Sequence, residues 1–242
     1  MVNGKNGNIY LSGGMEFAVD LGAEWRNKCG TRLTQLGYHP LDITKLDQEY
    51  TANHGDIFRS VCDTDPLQRK INIRKHFVDT DLQLIERDSD ALIVLLDESV
   101  RKGSGTISEC QFAYLHDIPI FIVNALPTTE RVSGWLFALS TKMFDSFEDL
   151  YDYLELLPEG ILKIDQYQNH RSGMYYLCSL CGIAEEKHKA HFVSKVSPLY
   201  CKSCVELVKV TCEQHKDRYT FFQENLVTDH ILAHEDNTIA DS

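Results

Sequence analysis

Along the first two thirds of the chain, short apolar blocks alternate with stretches of helical spacing. Asn8-Ile9-Tyr10-Leu11-Ser12 is a β-prone run that stops at Gly13-Gly14, as a first strand buried on both faces does. The glycine pair lets backbone approach a ligand at the strand's end. From Phe17 to Leu36 apolar residues recur at helical intervals (Val19, Ala23, Trp25, Cys29, Leu33, Leu36), and Gly37 takes the C′ position, which predicts a first crossover helix. Tyr38 to Asp42 predicts a short second strand, weakened by its internal Pro40.

No period holds from Ile43 to Asn72, and Asn53-His54-Gly55-Asp56 and Asp63-Thr64-Asp65-Pro66 read as turns, so a long polar insertion, functional or mobile, is expected there. Ile73 to Arg87 predicts a helix burying Phe77, Leu82 and Ile85. Ala91 to Leu96 predicts a strand, Thr106 to His116 a helix, and Ile118 to Val123 another strand. Helices over Arg131–Leu139 and Ser146–Leu157 follow, the second with Ser146 and Asp149 in the capping-box positions. This order implies an α/β fold with a doubly wound parallel sheet of the flavodoxin or Rossmann type. Pro158-Glu159-Gly160 marks a boundary, dividing an α/β domain (1–157) from a C-terminal module (158–242).

The 242 residues, 43% of them hydrophobic, suffice for a full core. No apolar run approaches the roughly 18 residues of a membrane span, and the N-terminus lacks an apolar signal region, so a cytoplasmic protein without membrane contact is expected. The net charge of −12 disfavours a nucleic-acid surface, yet leaves room for a small anionic ligand in a local pocket. Arg59, Arg69, Lys70, Arg74 and Lys75 form the main basic cluster; a solvated charged face is the favoured reading over a phosphate-facing one.

The stretch from Ala91 to Ala113 carries the candidate chemistry. Gly103, Ser104, Gly105 and Thr106 fit either a tight βα turn or a backbone cradle for a ligand at a helix N-terminus. Glu109 follows, near the start of the helix. A carboxylate there is either a partner of the helix dipole or a nucleophile, since glycosidic chemistry uses Asp or Glu to trap an oxocarbenium-like centre. Asp81, on the preceding helix, supplies a second carboxylate to the same crevice.

Three segments then carry a resemblance. Ile9-Tyr10-Leu11-Ser12-Gly13, Asp79-Thr80-Asp81-Leu82 before Asp88-Ser89-Asp90-Ala91, and Gly105-Thr106-Ile107-Ser108-Glu109-Cys110-Gln111-Phe112-Ala113 resemble, in order, the nucleoside 2-deoxyribosyltransferase family and the related nucleotide N-glycoside hydrolases. The resemblance runs from about Ile9 to Leu157. It implies an enzyme that cleaves or transfers at the N-glycosidic bond of a (2′-deoxy)nucleoside or its 5′-monophosphate. Glu109 would attack the anomeric carbon, Asp81 would hold or protonate the substrate, and Tyr10 would orient the glutamate. Ser12, Gly13, Gly14, Gly103, Ser104, Gly105 and Thr106 would line the substrate site, and Ser133 would reach across a subunit boundary of a homo-oligomer. Gly103 stands where free-nucleoside transferases carry an aspartate and nucleotide hydrolases a serine. Glu16 stands where the hydrolases carry an arginine for the 5′-phosphate, so the 5′ group is open unless Arg101, Lys102 or the Arg69–Lys75 cluster compensates. A glycohydrolase acting on NAD and a non-catalytic nucleotide-binding or docking protein are the alternatives.

Of eight cysteines, Cys29, Cys62 and Cys110 are scattered along the first part of the chain and five crowd between Cys178 and Cys212. Cys178-Ser179-Leu180-Cys181 and Cys201-Lys202-Ser203-Cys204, 19 residues apart, have the spacing of a tetrahedral zinc site with four cysteine ligands. A structural Zn2+ is expected, with no open position for catalysis and no organic cofactor. The module then serves as a docking surface for a protein partner or stabilises an oligomer. Cys212, His215, His188 and His191 are alternative ligands, less favoured than a spare cysteine and surface histidines. A helix from Cys212 to Val227 and a frayed acidic end over His230–Ser242 complete the reading.

Overall fold

The computed structural model describes residues 5–18, 20–54, 65–128, 130–165, 170–171, 175–186 and 200–214. Five strands form one parallel sheet: β1 (Gly7–Gly13), β2 (Tyr38–Leu41), β3 (Ala91–Leu96), β4 (Ile120–Asn124) and β5 (Lys142–Phe144), in the order β2-β1-β3-β4-β5. That is the flavodoxin-type order of a doubly wound sheet. Alternate residues of the strands feed two cores. Tyr10, Leu92, Val94, Ile120 and Ile122 pack on one face, and Ile9, Leu11, Ile93, Phe121 and Val123 on the other. A strand buried on both sides has no polar face to show, hence the unbroken Ala91–Leu96 run.

Helix α1 (Ala23–Gln35) lies on the second face through Cys29 and Leu33. It starts six residues later than its apolar period predicts. The Asp20 carboxylate accepts the N–H groups of Gly22 and Glu24 at 3.0 and 2.6 Å, and Gly22 caps the helix at φ +74°. The freed segment, with Met15, Glu16 and Phe17, instead lines a cavity. A Cβ at Gly22 would meet the Arg26 guanidinium and, at 2.7 Å, the Gly14 carbonyl. Gly22→Ala therefore costs about 2 kcal/mol or more in denaturant unfolding, strain and clash acting together; a neutral result would show that this turn yields.

The stretch expected to be a patternless insertion contains helices. Asp42 accepts from the Thr44 N–H and hydroxyl at the head of α2 (Ile43–His54). Asp65 accepts from the Gln68 N–H at 3.0 Å, with Pro66 at the first helical position. What reads as a turn signal is thus an N-cap followed by proline. Helix α3 spans 66–88: α-helical at Pro66–Ile73 and Asp79–Gln83, with π turns at Arg74–Val78 and Leu84–Asp88. Ile85 is buried as expected, whereas Phe77 and Leu82 are half-buried and line the cavity.

Between β3 and the next long helix the chain makes α4 (Glu98–Lys102), capped by Asp97, in place of a simple glycine loop. Helix α5 (Gly105–Leu115) then packs on the first face through Cys110 and Ala113. Strand β4 begins at Ile120, after Pro119, and α6 (Gly134–Leu139) begins at Gly134, because Ser133 caps it. The three residues of β5 are too few to show a period. Helix α7 (Phe147–Leu156) carries the expected Ser146–Asp149 cap, with the Asp149 N–H donating to Ser146 Oγ at 3.1 Å.

Beyond Leu157, Ile161 and Leu162 still belong to the second core. Two small antiparallel pairs follow, β6 (Ile164–Asp165) with β7 (His170–Arg171) and β8 (Tyr175–Leu177) with β9 (Ala184–Glu186), and then α8 (Lys202–Gln214). Helix α8 is described as far as Gln214, and beyond that point the helix expected from Cys212 to Val227 lies outside the described residues. The readings on Arg59, His188, His191, His215 and the acidic end lie outside the described residues.

Candidate active site

The connection after β1 crosses to one face of the sheet and the connection after β3 to the other. The carboxyl edge between these neighbouring strands is the switch point where such sheets bind ligands. A cavity of about 450 Å³ opens there, between the β1–α1 turn, α3 and the α4–α5 junction. Its walls are largely apolar, with Met15, Phe17, Ile43, Ile73, Phe77 and Leu82 among them, and Asp81 and Glu109 both face it.

Glu109 lies in the second turn of α5, since the helix begins at Gly105 and has no acid in its first turn. It is therefore not a simple dipole partner. Two hydroxyls from β1 hold its carboxylate instead: Tyr10 Oη donates to Oε1 at 3.3 Å, and Ser12 Oγ donates to Oε2. Tyr10 and Ser12 are both fully buried and do not line the cavity. Ser12, expected among the substrate contacts, spends its hydroxyl on the glutamate.

Burial raises the pKa of Glu109, opposed by the hydrogen bond from Ser12, by Arg26 and by the bond from Tyr10. Asp81, only 8% exposed, is pushed up to about 8, by burial first and then by the charge of Glu109. Two acids in one dry crevice do not both ionise easily, and Asp81 holds its proton at neutral pH. An acid whose folded-state pKa exceeds its ordinary 3.8 binds its proton more tightly when folded, so its contribution to stability declines as pH climbs from near 4 towards 8. Asp81→Asn removes that slope: unfolding should show a gain of about 2 kcal/mol over the parent at pH 8 and almost none at pH 4. Equal differences at the two pH values would contradict it.

Arg26 is a component that the sequence does not reveal. Its place in an amphipathic helix marks it as surface charge, yet it is fully buried. Its guanidinium donates to the carbonyls of Leu11 (3.1 Å), Gly13 (2.8 Å) and Gly22 (3.0 Å) and packs 4.7 Å from the Trp25 ring centroid. It therefore ties the end of β1 to the start of α1. Its charge lowers the pKa of both Asp81 and Glu109, while burial lowers its own.

Gly13, Gly14, Gly103, Ser104, Gly105 and Thr106 all line the cavity. A Cβ at Gly14 would run into the Ser99 side chain, so this glycine is required by close approach. Ser133 does not join them. It is exposed, its Oγ accepts the Trp135 N–H at 3.3 Å, and it sits beside the exposed Trp135 and Phe137 on α6. Cys110, next to Glu109, is excluded as a nucleophile, because burial pushes its thiol up to about 12.

A second cluster lies in the C-terminal segment. The Sγ atoms of Cys178, Cys181, Cys201 and Cys204 all fall within 4.8 Å of one another, with Cys181 and Cys201 3.8 Å apart. A tetrahedral metal bound at about 2.3 Å needs sulfurs about 3.8 Å apart, so the donor set fits such an ion. The tight turn after Cys178 makes this possible: the Gly182 N–H donates to the Cys178 carbonyl at 2.8 Å, with Gly182 at φ +72°. Tyr153 of α7 donates to the Gly182 carbonyl at 2.6 Å, and Leu177 and Ala184 pack against the second core.

Fold and site together define a flavodoxin-order α/β protein with a paired-carboxylate crevice and a four-cysteine cluster. No protein-family model matches the chain, and no curated protein matches it. Among solved structures it is similar to a 2-deoxyribosyltransferase from the psychrotolerant bacterium Bacillus psychrosaccharolyticus. The identity is 14%, the match covers 60% of this chain and 91% of that one, and the TM-score is 0.41. Among the described residues no helix is long and apolar enough to cross a membrane.

Proposed function

We propose that the protein is an enzyme that breaks the N-glycosidic bond of a (2′-deoxy)nucleoside or nucleoside 5′-monophosphate and passes the sugar to water or to a second base. The observation that carries this reading is the division of roles between two carboxyls in one cavity. Glu109 is held by Ser12 and Tyr10, and Asp81 is raised to about 8. The resemblance of the segments around Tyr10, Asp81 and Glu109 to the deoxyribosyltransferase and N-glycoside hydrolase families supports the same assignment.

In the first step a Glu109 oxygen attacks C1′ and forms an ester. The C1′–N bond breaks, its electron pair goes to the base, and Asp81 supplies the proton. In the second step water or another base attacks C1′, the ester oxygen leaves as carboxylate, and Asp81 takes a proton back. Apolar walls exclude water and raise the effective strength of both groups.

The four-cysteine cluster is proposed to bind a structural Zn2+, within a module that we place at 158–242 beside the catalytic domain 1–157. The homo-oligomer implied by the resemblance would bury the α6 face that carries Ser133, Trp135 and Phe137. Chromatography of products from deoxynucleosides, their 5′-monophosphates and NAD, with and without a second base, tests the reaction. Release of free base from a nucleoside or its monophosphate is expected; release of nicotinamide from NAD alone would move the assignment to a glycohydrolase.

A further inference from the structure

The cavity has one cationic side that the proposed reaction does not use. Arg69 of α3 lines the same cavity as Asp81 and Glu109, and its Nε is buried with no hydrogen-bond partner among the described residues. Along the same helix a second depression, about 540 Å³, shares Arg69, Ile73 and Val78 with the cavity and adds Lys70 and Arg74. Among the described residues none of these three cations is paired with a carboxylate. By contrast Arg101 is engaged by Glu98 at 3.3 Å and by Glu130, and Lys75 by Asp79 at 2.9 Å. In a chain of net charge −12, Arg69 in the cavity wall with Lys70 and Arg74 in the adjoining depression, unpaired among the described residues, form a local site for an anion.

We infer that the substrate is phosphorylated, and that its phosphate monoester is bound by Arg69, with Lys70 and Arg74 at the outer lip. This inference rests on the glycosidic reading of the site. A dehydrated guanidinium nitrogen without a partner among the described residues is open to a ligand, and a planar fork of donors matches phosphate oxygens. Glu16 lines the cavity from the β1–α1 turn. Its charge disfavours a phosphate on that side and directs the anionic end towards α3. The ligand class is then a (2′-deoxy)nucleoside 5′-monophosphate, with the sugar at Glu109, the base against the apolar wall and the phosphate beside Arg69.

Calorimetric titration of the full chain with a 2′-deoxynucleoside and with its 5′-monophosphate, alongside chromatography of released base, tests this. The parent should bind the monophosphate about tenfold or more tightly than the nucleoside, and the advantage should shrink when salt rises from about 0.05 M to about 0.5 M. Arg69→Ala should bring the ratio of the two dissociation constants close to 1, with Arg69→Lys in between. Equal binding of the two ligands by the parent, or an unchanged ratio in Arg69→Ala, overturns the inference. So does tight binding of NAD without any preference for monophosphate over nucleoside. The two readings fail separately: a tenfold ratio with no base released from either ligand keeps the anion site and removes the glycosidic reaction.

Discussion

Glu109→Gln is expected to lower base release by a factor of about 10⁴ or more, while the protein stays folded and keeps its stability. The amide has the shape of the carboxylate and still offers one acceptor to the Tyr10 and Ser12 hydroxyls, but it cannot form the glycosyl ester. Burial raises the pKa of Glu109, so the charged form is costly in this environment. Replacing it by a neutral amide therefore does not weaken the fold. Circular dichroism and thermal unfolding with a parent-like midpoint, together with lost turnover, are the expected pair. Parent-like turnover in Glu109→Gln would remove the nucleophile from the scheme.

The second large effect is on the cysteine cluster. Cys178→Ser with Cys201→Ser is expected to abolish metal binding, measured as one zinc per chain in the parent by elemental analysis. Four thiolates closing on zinc contribute about 10 kcal/mol or more of binding free energy, and in so small a segment that energy is folding energy. The loss should spread beyond the module, because the Tyr153–Gly182 bond and the packing of Leu177 and Ala184 join it to the second core. Hydrogen exchange should accelerate over β8, β9 and α8 first, and then over α7. Zinc-free parent protein with unchanged protection would show that the cluster is held by packing alone.

The central strands were legible because a strand buried on both faces must be apolar throughout, as Ile9–Leu11, Ala91–Leu96 and Ile120–Val123 are. The α/β class and the four-cysteine set follow from such patterns and from spacing. The misreadings have physical causes. Phe17 keeps the period of the helix that follows without being helical itself, since Asp20 and Gly22 delay the helix to Ala23 and leave Met15 and Phe17 to the cavity. The stretch from Ile43 to Asn72 looks patternless because the start of α3 leaves Leu67 and Ile71 exposed and turns Arg69 into the wall of a pocket. Arg26 was invisible because its partners are backbone carbonyls, which carry no signature in the sequence. Of the candidate site, both cavity carboxyls, Asp81 and Glu109, stand out in the sequence, while the bond of Ser12 to Glu109 and the place of Arg69 in the cavity wall needed three dimensions.

Covalent attachment of the sugar to Glu109 is the step on which the proposed reaction rests. Its most direct measurement is the mass of the intact protein after rapid acid quench of a reaction with a nucleoside or its 5′-monophosphate, followed by peptide mapping. An added glycosyl mass is expected on the peptide that contains Glu109, absent in Glu109→Gln and discharged when water or a second base is allowed to react. Release of base at the parent rate with no adduct at any quench time would contradict it.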